Sequence, residues 1–271
     1  MDDSRGMPKI KRTPEEQQAR REGPEFIESL DRGLRVIQSF GAHHRPMTLS
    51  DIAKACDLPR ATARRILMTL QKSGFVVGDE RLFSLTPRIL TLAAAYLSSN
   101  QISTIMQPLM DDVSAQAKEV CSLAVLDGSE VVFIARASPT RVFSTGIDIG
   151  YRLPAFCTSV GRVLLGRLSN DELAAAIAGM DLKMLTPETN TDKSLVLAAI
   201  ITDRSKGYSL VDREAEPGFR SISVPIYRHD GGIVAAANIG AHVDRVTTGE
   251  MIDRFLPLLK EMSAAARPLL V

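Results

Sequence analysis

The stretch from Thr48 to Gly74, TLSDIAKACDLPRATARRILMTLQKSG, constrains this chain more than any other. Thr48-Leu49-Ser50-Asp51 has the spacing of a capping box, in which the Thr48 hydroxyl and the Asp51 carboxylate each satisfy a backbone N–H orphaned at a helix start. Leu49, Ile52, Ala53 and Cys56 recur at i, i+3, i+4 and i+7, the apolar face of one helix. Asp57-Leu58-Pro59 turns the chain, because proline is accommodated only in the first turn of the next helix. Ala63, Ile66, Leu67 and Leu70 repeat the apolar spacing, and Gly74 is placed to end the second helix in a left-handed cap. The other face of that helix carries Arg60, Thr62, Arg64 and Arg65. Such a pair is built like a helix-turn-helix whose second helix recognises DNA. A plain helical hairpin with a solvated basic face is the alternative.

The residues after Gly74 favour the helix-turn-helix. Phe75-Val76-Val77 and Leu82-Phe83-Ser84-Leu85 are short apolar strands joined by Gly78-Asp79-Glu80-Arg81, a hairpin turn. Helix-turn-helix plus hairpin makes a winged helix, with Arg81 at the wing tip where phosphates would pass. Between Arg32 and Lys72 eight basic residues face only Asp51 and Asp57, a local charge of +6. The whole chain is at +1, which leaves −5 for the rest. Positive charge gathered on one module suits nucleic acid.

At 271 residues the chain can hold two domains, each with its own core. Residues 1–23 are charged without apolar period and read as a disordered tail. Phe26 to Phe40 reads as a helix that buttresses the helix-turn-helix through Ile27, Leu30, Leu34 and Ile37. A loop from Gly41 to Pro46 holds His43 and His44. The winged domain thus spans residues 24–86. A linker helix over 87–100 is opened by Thr86-Pro87, with a hinge at Ser98-Ser99-Asn100. That helix is apolar on more than one side, so either a second copy or the second domain must cover it.

Residues 101–271 form the second domain. A helix containing Pro108 must restart or kink there. Ser122–Leu126 and Val131–Ala135 pair across Asp127-Gly128. Leu153 to Leu165 is a loop running into a helix, and further helices follow from a cap at Asn170-Asp171-Glu172 and from about Asp192 to Lys206. Strands Tyr208–Val211, Ser221–Tyr227 and Ile233–Ile239 precede a final helix capped by Thr247-Thr248-Gly249-Glu250. Helices interleaved with hairpin-joined strands imply an α+β domain on an antiparallel sheet.

Two stretches of this domain carry chemistry. Cys157-Thr158-Ser159-Val160-Gly161 places hydroxyls and a glycine at a helix start, where free N–H groups and the helix dipole favour a carboxylate. Helix capping alone is the alternative. Asp212 to Ser221 is a charged loop turned by Pro217-Gly218, leading into a strand. Catalysis has little support. Cys157 lacks a histidine placed to activate it, and there is no G-x-S-x-G elbow, dinucleotide fingerprint or P-loop. Cys56, Cys121 and Cys157 are too few and too scattered for a disulfide framework or zinc site, and no histidine stands in a metal spacing. We expect no cofactor and no metal. No apolar run reaches the ~20 residues of a membrane span, and no signal peptide opens the chain, so a cytoplasmic location is expected.

From about residue 25 to the end, the chain resembles the IclR family of bacterial transcriptional regulators. The likeness is carried by Ser29-Leu30-Asp31-Arg32-Gly33-Leu34, by Leu58-Pro59-Arg60-Ala61-Thr62, and above all by Gly207-Tyr208-Ser209-Leu210-Val211-Asp212-Arg213-Glu214 with Pro217-Gly218-Phe219-Arg220-Ser221-Ile222. Within the family, the stretches Leu153–Arg162 and Leu90–Leu97 resemble the PcaR-type branch, which regulates protocatechuate and β-ketoadipate catabolism. The resemblance implies a winged helix, a linker helix and a GAF-like effector domain, assembled as a homodimer or dimer of dimers on a double-stranded DNA operator. It also implies a small carboxylic-acid effector held at Ser159, Gly161, Asp212, Ser221, Asn238 and Gly240, to which the helix-start reading adds Thr158. The chain departs from the family's frequent serine pair in the last strand, having Asn238 and Gly240. It also has Ser221 where cysteine is frequent. These differences alter both the volume and the donors of the pocket. An IclR-type regulator of another carboxylate pathway and, from a different class, an enzyme built on residues 101–271 are the competing readings.

Overall fold

The computed structural model describes residues 26–41, 45–79, 81–99, 101–139 and 148–270. The expected tail, His43, His44 and Asn100 lie outside those residues. Contacts divide the chain into two units, Met1–Tyr96 and Leu97–Val271.

The first unit holds α1 (Glu28–Ser39), α2 (Leu49–Ala55), α3 (Arg60–Lys72) and the antiparallel pair β1 (Val76–Gly78) and β2 (Phe83–Leu85). α2 opens with the expected capping box: Asp51 N donates to Thr48 Oγ1 at 3.2 Å and Thr48 N to Asp51 Oδ2 at 3.1 Å. Pro59 sits one place earlier than expected, as the N-cap of α3. α3 ends as expected, with Gly74 at φ +78°. Gly74 N donates to Gln71 O and Phe75 N to Leu70 O, both at 2.9 Å, which closes the orphan carbonyls in a Schellman motif.

α1 docks by a different stripe from the one its spacing suggests. Val36 and Phe40 join Met47, Ile52, Cys56, Leu67, Val76 and Phe83 in the core. Ile27, Leu30 and Leu34 are 62%, 59% and 48% exposed. Both stripes satisfy the helical period, and the core takes the one that delivers the Phe40 ring.

Pro87–Ile89 forms a 3-10 turn capped by the Thr86 hydroxyl and leads into α4 (Leu90–Ser99). The helix continues through Ser98 to Ser99, past the start of the expected hinge. Its Leu90, Leu92 and Tyr96 are exposed in the single chain.

The second unit begins with α5 (Ile102–Ala117), one element through Pro108 where a restart or kink was expected. Then come β3 (Val120–Asp127), β4 (Glu130–Ala137), β5 (Arg152–Pro154), a 3-10 turn Ala155–Cys157, α6 (Ser159–Leu165), α7 (Asn170–Gly179) and α8 (Lys193–Lys206). β6 (Ser209–Asp212), β7 (Phe219–Tyr227) and β8 (Ile233–His242) come next, and the turns Thr248–Glu250 and Met251–Phe255 run into α9 (Leu256–Ala266). α7 is capped by Ser169, one residue before the expected Asn170, in a capping box with Glu172. The sheet order is β5-β4-β3-β8-β7-β6 with every pairing antiparallel, so the unit is α+β.

Strand alternation splits this unit into two cores. Leu123, Ile222, Val224 and Ile239 pack with Met106, Met110 and Leu259 from α5 and α9. Phe133 and Ala236 pack on the other face with Phe156, Leu164, Leu173 and Ile200 from the α6–α8 layer. Polar residues of the strands, including Ser122, Ser221 and Asn238, fall on that second face. The candidate cavity lies there.

Candidate functional site

In the first unit Arg60, Arg64, Arg65 and Met68 of α3 are exposed. Thr62 is half-buried, and with Arg65, Ile66 and Thr69 it borders a groove shared with Leu30 and Leu34 of α1. The buried Ala63 and Leu67 fix which side of the helix turns inward. Arg81 is exposed in the wing turn. That turn is shaped by Asp79, whose Oδ1 accepts from Leu82 N at 3.0 Å and Arg81 N at 3.1 Å. These two bonds, Leu82's first, hold the Asp79 carboxyl below its ordinary value. Gln71 Nε2 donates to Gly78 O at 3.1 Å and ties the wing to α3.

In the second unit a cavity of about 70 Å³ lies between the sheet and the start of α6. Register builds its wall. Val120, Gly240 and Ser221 stand abreast on β3, β8 and β7, and Ser122 stands beside Asn238 one step along. Ser159 Oγ reaches across from α6 to Ser221 Oγ at 2.8 Å. Asn238 Oδ1 is buried and, among the described residues, accepts no hydrogen bond. Thus Thr158, Ser159, Ser221, Asn238 and Gly240 of the expected positions line one cavity. Phe133, Leu153, Val211 and Phe219 supply its apolar surface.

Arg136 also lines the cavity, and sequence reasoning missed it. Its side chain is 11% exposed, with Nε donating to Ser138 Oγ at 3.2 Å and Nη1 4.0 Å from Asp148 Oδ1. Plain alternation would send residue 136 to the face opposite Phe133. The β3–β4 register slips between Leu123 and Ala124, leaving Ile134 as the extra residue of a bulge. Phe133 and Arg136, three apart, therefore share a face.

Two expected positions do other work. A Cβ on Gly161 would lie 2.1 Å from Ala155 O, so the glycine lets α6 pack on the preceding 3-10 turn; it does not line the cavity. Asp212 is also outside the wall. Its carboxylate is taken up by Arg220, with Oδ1 3.0 Å from Nε and Oδ2 3.4 Å from Nη2. The expected anion cradle at the start of α6 is also partly closed. The Thr158 hydroxyl accepts from Gly161 N at 3.2 Å and donates to Pro154 O at 3.2 Å, so capping is its visible task.

The loop after β6 is pinned from below. The buried Arg162 places Nη2 2.7 Å from Oε2 of the partly buried Glu214, and its Nε donates to Phe156 O at 2.9 Å. Glu214 Oε2 also accepts from Asn190 N at 3.2 Å. Burial first, and Glu214 second, push the Cys157 thiol up to about 12 against the opposing pull of Arg162. A thiol so raised stays protonated near neutrality and is a poor nucleophile. Among the described residues no group of His, Cys, Asp and Glu can hold a metal ion. Nor, among them, is any helix long and apolar enough to cross a membrane.

Residues 29–80 match the IclR helix-turn-helix domain, and residues 94–267 match the bacterial transcriptional regulator IclR C-terminal domain. The chain belongs to the IclR family. As an IclR-family protein it is a DNA-binding transcriptional regulator, and α2–α3 is its helix-turn-helix. It is 43% identical over 237 residues to the Pca regulon regulatory protein of Pseudomonas putida, covering 87% of this chain and 81% of that one. This match agrees with the PcaR-type resemblance. The p-hydroxybenzoate hydroxylase transcriptional activator of Acinetobacter baylyi is 34% identical over 250 residues, covering 90% of this chain and 92% of its own. Among solved structures, the inducer-binding domain of a PobR double mutant from Acinetobacter, in complex with 3-hydroxybenzoic acid, aligns with this IclR-family chain at TM-score 0.59. There the identity is 35% over 62% of this chain and 98% of that one.

Proposed function

We propose that this regulator controls genes of aromatic-acid catabolism and is switched by a small hydroxylated aromatic acid held in the cavity of its second unit. The observation that carries this reading is a cavity offering a cation, Arg136, together with the buried acceptor Asn238 Oδ1. A buried acceptor left without a donor costs ~1–3 kcal/mol, so a ligand hydroxyl that donates to it gains that much. Arg136 meets the carboxylate, and Phe133 and Phe219 flank the ring. Ser159 and Ser221, already bonded to each other, offer their hydroxyls to a second ring substituent. The hydroxybenzoic acid in the PobR domain supports this ligand class.

On DNA, Arg60 and Arg64 reach base edges, while Thr62, Arg65 and Arg81 contact the flanking backbone. Two half-sites require at least a homodimer, and the exposed Leu90, Leu92 and Tyr96 of α4 offer the apolar surface for it. The protein works in the cytoplasm, without a cofactor and without catalysis of its own.

A second reading has one specific observation in its favour. Arg220 shares the cavity wall with Arg136, and two guanidinium groups suit a dicarboxylate such as β-ketoadipate. Against it, Asp212 already neutralises Arg220. Calorimetric titration with protocatechuate, 4-hydroxybenzoate and their methyl esters tests the proposal. The acids should bind and the esters should not; esters that bind as tightly as the acids would remove Arg136 as the anchor. Binding of β-ketoadipate alone, and its loss in Arg136→Gln, would select the second reading.

A further inference from the structure

The second unit has another cleft, between α9 and the end of β7 that β6 does not pair. One side is α9 and the residue after it, which present Lys260, Ser263, Ala264 and Arg267 at i, i+3, i+4 and i+7. The other side is β7, with Val224, Pro225 and Tyr227. Its volume is about 360 Å³. Ser263 Oγ donates to Pro225 O at 2.6 Å and stitches the floor shut, so the floor is spent as a hydrogen-bonding surface. What remains open is an apolar trough with a cation at each end.

Among the described residues no carboxylate lines this trough. Among the described residues neither Lys260 nor Arg267 lies within 4.0 Å of a carboxylate, whereas Arg220 in the effector cavity is paired with Asp212. Lys260 Nζ stands 5.9 Å from the centre of the Tyr208 ring, a contact that holds a cation in place without neutralising it. The two cations are two helical turns apart, about 10 Å along the axis. A compact monoanion can satisfy only one of them. A linear dianion with an apolar middle can meet both while its chain lies over Tyr227 and Ala264.

We propose that this cleft is a second ligand site, separate from the effector cavity, for an aliphatic dicarboxylate. It gives the regulator an input distinct from the aromatic acid, bound on the α9 side of the sheet. Because the site rests on its own residues, it stands whether or not the aromatic-acid reading does.

The test uses the full chain and adipate as the probe, with hexanoate as the monoanion of matched length. Three proteins are compared: wild type, the double variant Lys260→Gln with Arg267→Gln, and Arg136→Gln. Adipate should saturate wild type in the millimolar range, and hexanoate should bind at least about tenfold more weakly, the loss of one charged contact. The double variant should lose adipate binding at least about tenfold and keep its thermal midpoint, while Arg136→Gln should keep adipate binding. No saturation by adipate at about 20 mM, far above the millimolar Kd expected, would overturn the proposal. So would equal binding by wild type and the double variant, or loss of adipate in Arg136→Gln alone, which would place the dianion in the effector cavity.

Discussion

The Asp212 carboxylate lies against the Arg220 guanidinium, with Oδ1 3.0 Å from Nε, on the rung where β6 meets β7. The pair spans the two strands that carry the cavity's charged loop, and it decides what each member can do. Asp212 is not free to accept a ligand hydroxyl, and Arg220 presents little net charge to the wall.

Removing the negative charge should therefore expose Arg220. Asp212→Asn should improve binding of the dianion β-ketoadipate by about 1 kcal/mol, a Coulomb term of solvent-screened size, and barely alter a hydroxybenzoate. Asp212→Ala should cost ~1.5–3 kcal/mol in urea denaturation, the value of hydrogen bonds to a charged group. Selective loss of the hydroxybenzoate in Asp212→Asn, with stability intact, would return Asp212 to the cavity.

On α3 the exposed Arg60 and Arg64, one helical turn apart, should carry sequence recognition. Arg64→Ala should lose ~1–3 kcal/mol on operator DNA and much less on random DNA. Arg81→Ala should weaken both DNAs alike and reduce the salt slope by about one. Equal losses on both DNAs for Arg64→Ala would make it a positioning contact only.

Assembly should depend on α4. Leu92 and Tyr96 are 49% and 44% exposed in the single chain, a wide apolar surface for one helix. Leu92→Glu or Tyr96→Glu should shift sedimentation toward monomer and weaken operator binding in parallel. A wild-type monomer that holds its operator tightly at micromolar concentration would contradict this.

Asp203 should show in the pH dependence of stability. Burial raises its carboxyl above the ordinary value, opposed by the hydrogen bond from Ser209 and by Arg162 and Lys206. An acid raised in the folded state destabilises once ionised. The cost is absent below its ordinary value of 3.8, builds as pH rises from there to the raised folded value, and is constant above it. Asp203→Asn should therefore gain on wild type in urea midpoint as pH rises above 3.8, levelling off once Asp203 is ionised. A difference independent of pH would contradict it. Asp192 is held the opposite way, by the hydroxyl of Ser194 and by the N–H groups of Leu195 and Ser194. Its contribution is full above the ordinary value and is lost as pH falls through the lowered one.

Local signals in the sequence were legible where the physics is local. The capping boxes at Thr48 and Thr247, the left-handed Gly74 and the Asp127-Gly128 turn involve partners a few residues apart. The alternation that turns Ser221 inward is equally local, whereas Asn238 came only from the family resemblance. Arg136 was not legible, because a bulge at Ile134 reverses the alternation on which a strand reading depends. Asp212 could not be placed from the sequence, since its partner Arg220 becomes a neighbour only when β6 and β7 pair. The stripe of α1 was misread for a related reason: two stripes fit the period, and only the assembled core selects Val36 and Phe40.

The central claim is that an acid held by Arg136 changes the grip on DNA, and operator affinity measured with and without 4-hydroxybenzoate or protocatechuate tests it most directly. Wild type should change its operator affinity about fivefold or more when one of the acids saturates it, the usual size of coupling between two sites. Arg136→Gln should bind operator like wild type in the absence of acid and fail to respond to it. A response that persists undiminished in Arg136→Gln, or a wild type that ignores both acids, would contradict the account.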